Sequence, residues 1–150
     1  MKSGFADLDL TGTRGCAAFN LKRAARAVTQ AYDEARAAAG LRSTQFAVLV
    51  ATARTQPVSI GELASLTLSD PTTMTRNVRL MARAGLIDVP ARGPKREKRV
   101  RLTAKGTRAL AKALPHWRAA QARFVGAFGG PAWKGMQHDL ERAARLAAWG

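Results

Sequence analysis

Two helix starts lie within a dozen residues of each other in the middle of the chain, and this pair constrains the fold more than any other feature. Ser59-Ile60-Gly61-Glu62 is a capping box. Its serine hydroxyl can accept the Glu62 amide while the Glu62 carboxylate reaches back to the Ser59 amide. It predicts a short helix to about Thr67, with Leu63, Ala64 and Leu66 on its inner side. Ser69-Asp70-Pro71 then opens a second helix with an acidic cap and a proline at the first helical position, and Gly85 stops it after Ala84. Two short helices joined by so tight a turn make a helix-turn-helix.

The rest of the chain frames this unit. Helical spacing of Leu21, Val28, Tyr32 and Ala35 predicts a long first helix from about Arg14 to Ala38, ended by Gly40. Ser43 is placed to cap a helix through Arg54 that carries Phe46, Leu49 and Val50, closed by Gln56-Pro57. After Gly85, Leu86–Val89 reads as a strand and Pro90–Arg96 as a turn. Lys98–Leu102 alternates, with Val100 and Leu102 inward and Arg99 and Arg101 outward. Thr103 caps a long helix to about Phe128, bent at Pro115, whose Leu110, Leu114, Trp117, Phe124 and Phe128 suit packing on another helix. After Gly129-Gly130-Pro131 a last helix aligns Met136, Leu140, Ala143 and Ala147. The expected class is mainly α with a small β-hairpin.

The second helix of the pair has two unlike faces. Met74, Val78 and Met81 form a core side; Thr72, Arg76, Arg79 and Arg83 fall opposite, with Thr73 and Thr75 on the flanks. β-Branched residues at a helix start cost helix stability, so this face is poor material for mere solvation. Arginine bonds guanine bidentately, and threonine meets thymine methyls or phosphates. The hairpin that follows is basic at six of the ten positions from Arg92 to Arg101, against one acid, Glu97. Charge of that density suits a phosphate backbone. The whole chain carries 25 Lys and Arg against 10 Asp and Glu, a formal net charge of +15, which fits a polyanionic partner. A winged helix-turn-helix reading double-stranded DNA follows. A non-specific architectural nucleic-acid binder fits the charge equally well; the ordered Thr and Arg face favours specific reading.

Other functions find little support. The longest apolar run, Phe46 to Ala53, is far short of the roughly 20 residues a membrane span needs. Met1 to Leu10 has no basic start followed by an apolar stretch, and the one cysteine, Cys16, cannot form an internal disulfide; both point to the cytoplasm. His116 and His138 have no companion ligands for a metal. No nucleophilic triad, phosphate loop or paired carboxylates stand at useful spacing. Neither an enzyme nor a cofactor is expected.

Three stretches, LRSTQFAVL (41–49), IGELA (60–64) with TRNVRLMARAGLI (75–87), and VRLTAKG (100–106), resemble the multiple antibiotic resistance regulator (MarR) family over roughly residues 15–148. The resemblance implies a homodimeric transcription regulator, mostly a repressor, bound to a pseudo-palindromic site. Residues 43–102 would form the winged DNA-binding part, and residues 14–38 and 103–149 the helical dimerisation part. DNA contact would fall on Ser69, Thr72, Thr73, Thr75 and Arg76 in the helix, and on Arg92, Lys95 and Arg96 in the wing; the basic faces read above add Arg79 and Lys98. That wing usually opens Asp-x-Arg in the family, and here Pro90 or Ala91 stands near the acid's place. A small aromatic or phenolic effector would enter between the two parts, near Phe19, Tyr32, Phe46 and Trp117. Cys16, beside Arg14 at the start of the first helix, offers an alternative trigger by peroxide, since cations and helix starts lower a thiol pKa.

Overall fold

The computed structural model describes residues 8–92 and 97–147, with the backbone alone at 91, 92 and 97. Helix α1 spans Ala17–Arg36, after a 3-10 turn at Thr13–Gly15, so it begins three residues later than the sequence suggests. A second 3-10 turn, Ala37–Ala39, ends at Gly40, whose φ of 71° is the left-handed conformation glycine tolerates. Helix α2 (Ser43–Thr55), strand β1 (Val58–Ser59), helix α3 (Ile60–Leu66) and helix α4 (Pro71–Arg83) follow. Strands β2 (Ile87–Asp88), β3 (Ala91–Arg92) and β4 (Glu97–Leu102) lead into α5 (Ala104–Phe128) and α6 (Gly130–Leu146). Helix α5 runs through Pro115 without ending.

Strand β4 organises the sheet. It pairs antiparallel with β1 (Val58 opposite Val100), β2 (Ile87 opposite Leu102) and β3 (Arg92 opposite Glu97). Strand β1 was not legible in the sequence, because two residues become a strand only through β4. The two strands expected between Leu86 and Leu102 are present as β2 and β4, with Val100 fully buried, but Ala91 and Arg92, read as turn, form strand β3 through pairing with β4, and residues 93–96 of that turn lie outside the described residues.

One core joins α2, α3, α4, the sheet and the first turns of α5. Leu49, Leu63, Met74, Val78, Met81 and Val100 are at most 2% exposed. The outer helices contribute almost nothing to it. Helix α1 buries only Arg36, and α6 buries no side chain. Phe19, Leu21, Met136, Leu140 and Leu146 are exposed on them. No helix among the described residues is long and apolar enough to cross a membrane.

Two local expectations fail. Ser43 is the first residue of α2 rather than its cap. Its amide and hydroxyl both donate to Asp33 Oδ1, while the Arg42 amide donates to Gln45 Oε1. Arg36 completes this junction of α1 and α2: its Nη2 donates to Asp33 Oδ1 (3.2 Å) and to the Ser43 hydroxyl, and its guanidinium lies 4.9 Å from the Phe46 ring centre. Burial pushes the Asp33 carboxyl up, but the bonds from Ser43 and the Arg36 charge outweigh it, and the net shift is downward. Leu66, expected inside, is 57% exposed, because a seven-residue helix turns only Leu63 and Ala64 onto the core.

Candidate nucleic-acid interface

The site begins at the Ser59 box, which forms as expected. The Glu62 amide donates to Ser59 Oγ (3.1 Å), and the Ser59 amide donates to Glu62 Oε2 (2.7 Å). Glu62 also receives Arg99 Nη1 at 3.3 Å, tying α3 to the central strand of the wing. The Ser59 amide and hydroxyl, more than Arg99, hold the Glu62 carboxyl below its ordinary value.

The turn closes by a Schellman motif. The Leu68 amide donates to Ser65 O and the Ser69 amide to Ala64 O. The left-handed position belongs to Leu68, at φ 48°, a conformation that favours glycine. Its side chain is 83% exposed. Ser69 is half-buried, its Oγ 2.9 Å from the Thr67 hydroxyl. Asp70 then caps α4 by accepting the Thr73 amide at 2.9 Å, and Pro71 takes the first helical position. The carboxylate therefore occupies one amide that a phosphate could have used. A second Schellman motif ends α4, with the Gly85 amide on Ala82 O and the Leu86 amide on Met81 O.

Helix α4 presents the two faces read from the sequence. Met74, Val78 and Met81 are buried. Thr72, Thr73, Arg76, Arg79 and Arg83 are exposed, and a shallow groove of about 570 Å³ runs between Thr72, Thr75, Arg76, Arg79, Leu80 and Arg83. Thr75 is half-buried and its hydroxyl donates to Pro71 O, which leaves its methyl and lone pairs for a partner. A smaller cleft of about 300 Å³ brings Thr75, Arg79 and Arg83 together with Lys98 of β4, so helix and wing form one surface. Arg92 is placed by its backbone alone, in β3; Lys95 and Arg96 lie outside the described residues.

The aromatic residues assigned to an effector divide. Phe46 and Trp117 stack with ring centres 6.1 Å apart, and border a cavity of about 600 Å³ with Val50, Arg54, Leu66 and Leu114. Tyr32 packs edge-on to Phe124 and donates its hydroxyl to Gln121 Oε1 at 2.6 Å. Phe19 is 60% exposed on α1 and joins neither group. Cys16 is the exposed residue preceding α1; its carbonyl and that of Arg14 accept the Asn20 side-chain amide.

Sequence reasoning missed two residues of the site's support. Arg99 braces α3 through Glu62, and Lys105 of α5 donates to Ala84 O at the end of α4 (2.7 Å). Neither contact has a signal in spacing, since each joins residues far apart in the chain.

A family model described as the MarR family matches residues 39–97. A transcriptional regulator of M. tuberculosis, MosR, crystallised in complex with DNA, is 40% identical; the match covers 89% of this chain and 98% of MosR, with a TM-score of 0.78. CouR from Rhodococcus jostii RHA1, crystallised with p-coumaroyl-CoA, shares the fold at 24% identity and a TM-score of 0.73, covering 86% of this chain and 91% of that one. No curated protein matches the sequence.

Proposed function

The chain belongs to the MarR family of transcriptional regulators, and on that premise we propose that it binds a specific pseudo-palindromic DNA operator as a homodimer and acts as a ligand-responsive repressor, not an enzyme, in the cytoplasm. The observation that carries this reading is the α4 face, where Thr72, Arg76, Arg79 and Arg83 stand exposed opposite a buried Met74, Val78 and Met81. Such a helix enters the major groove and reads base edges, while the wing's basic residues follow the backbone. The crystal of MosR with DNA supports it at 40% identity.

In this reading residues 43–102 bind DNA, with Ser69, Thr72, Thr73, Thr75, Arg76, Arg79, Arg92, Lys95, Arg96 and Lys98 at the contact. Ser69 contributes by shaping the turn, being half-buried against Thr67. Residues 14–38 and 103–149 dimerise. The support is that α1 and α6 leave Phe19, Leu21, Met136, Leu140 and Leu146 uncovered in a single chain. A small aromatic effector enters beside the stacked Phe46 and Trp117, where the cavity is apolar apart from groups such as Arg54.

The test is selection of bound duplexes from a random pool at near-physiological salt. A two-fold symmetric motif with half-sites about ten base pairs apart is expected. Strong, salt-sensitive binding with no enriched motif would replace this reading with a non-specific coating protein.

A further inference from the structure

The first turn of α5 grips the carboxyl end of α4 at three successive carbonyls. Lys105 Nζ donates to Ala84 O at 2.7 Å, Thr103 Oγ1 to Gly85 O at 2.6 Å, and the Thr103 amide to Leu86 O at 3.2 Å. Gly106 lies flat against the same strand entry, where a Cβ would stand 1.9 Å from Leu86 O. Thr103 and Gly106 hold the turn beyond the helix. Of these three residues, Lys105 is the one that bonds Ala84, the residue that caps the helix. An ammonium there meets the negative end of the helix dipole and satisfies one of its orphan carbonyls.

Helix α5 spans both parts of the molecule. Its Leu110 and Ala113 sit in the winged core, and its Phe124 packs with Tyr32 of α1 and Trp133 of α6. The angle at which α4 leaves the protein is therefore referred to α5, the element that reaches the proposed dimer contact. A dimer can engage two half-sites only if both recognition helices stand at the right angle to that shared frame.

We propose that Lys105 is a positioning residue for DNA reading: it fixes the recognition helix to α5 through the Ala84 carbonyl and so sets the simultaneous fit of both helices, without contacting phosphate. This rests on the DNA-binding reading above. Its signature is a loss confined to two-site binding. A lysine on phosphate would weaken every duplex and lower the slope of log affinity against log salt by about one. A merely structural lysine would lower thermal stability and weaken both duplexes alike.

The full-length protein and its Lys105→Met and Lys105→Arg variants are titrated with a selected duplex and with the same duplex carrying one scrambled half-site, at several salt concentrations, alongside thermal melts. Methionine keeps the stem and removes the charged donor. Lys105→Met is expected to weaken the two-site duplex about tenfold, the loss of one charged hydrogen bond. One-site binding and the salt slope should stay near wild type, the melting temperature should fall by only about 2–4 °C, and Lys105→Arg should recover most of the two-site loss. Equal weakening on both duplexes, a reduced slope, or no weakening overturns the proposal. A wild-type protein that does not prefer the two-site duplex would instead refute the DNA-binding reading itself, and this inference with it.

Discussion

Gly106→Ala tests the packing at the junction between the wing and α5. An added Cβ would lie 1.9 Å from Leu86 O, 2.9 Å from Leu86 C and 3.4 Å from Leu86 Cα. A carbon normally approaches a carbonyl oxygen no closer than about 3.3 Å, so the two backbones must part by roughly 1.4 Å. The obstacle is main chain, and Gly106, Leu86 and Ile87 are all buried, so no flexible tip can swing away. The Thr103 amide, 3.2 Å from Leu86 O, would lose that acceptor at about 1 kcal/mol, while the Thr103 hydroxyl keeps its shorter bond to Gly85 O. Overpacking adds about 2 kcal/mol. Alanine's better helix propensity returns about 1 kcal/mol. A net loss of about 2 kcal/mol lowers the melting temperature of a chain this long by about 6 °C. The control is Gly61→Ala in α3, where the added Cβ meets only Ser59 Oγ, at 4.0 Å, and the same chemical change should be neutral or slightly stabilising. Calorimetric melts at one fixed protein concentration measure both. A Gly106→Ala protein melting within about 2 °C of wild type would refute the close approach of α5 to Leu86.

Arg76→Ala is expected to cost about 1–3 kcal/mol on the selected duplex and to relax base preference at one position; an unchanged motif in a repeat selection would remove Arg76 from the groove. Arg96→Ala should instead weaken all sequences alike and reduce the salt slope by about one, read by fluorescence titration at several salt concentrations. Leu68→Gly should raise stability by a few tenths to about 1 kcal/mol, because relief of the left-handed leucine exceeds the entropy glycine adds to the unfolded chain; a lower urea midpoint would show that the exposed side chain packs on something. Asp33, whose folded carboxyl lies below its ordinary value, stabilises the protein fully above about pH 4 and loses that contribution as pH falls through the folded value. The stability gap between wild type and Asp33→Asn should accordingly be constant at neutral pH and shrink in acid, and a gap that widens in acid would reverse the sign.

What the sequence made legible was local or periodic. The Ser59 box, the Asp70-Pro71 start and the Gly85 stop are each written within four residues, and all three form. The inward Met74, Val78 and Met81 follow from a 3.6-residue period, and the Thr and Arg face follows from them by elimination. What stayed hidden depends on partners distant in the chain. Ser43 has the composition of a cap, yet Asp33, ten residues earlier, claims both its amide and its hydroxyl. Arg36 carries no sign of burial in the sequence and is buried at the α1–α2 junction, where Asp33 and the Ser43 hydroxyl bond its Nη2 and the Phe46 ring lies against its guanidinium. The Leu68 turn inverts the usual rule that glycine takes the left-handed place, which Gly85 obeys one helix later in the same motif. The same division runs through the site. The helix residues that would meet base edges lie on one short segment, so a helical wheel finds them. Those that hold that segment, Glu62 with Arg99 and Ala84 with Lys105, come from elements that meet only after the chain has folded. A pattern of exposed arginines can thus identify the reading surface, while the angle at which it is offered depends on contacts that no pattern in the sequence records. Substitutions in the first group should change which bases are preferred, and substitutions in the second should change how two half-sites are engaged together.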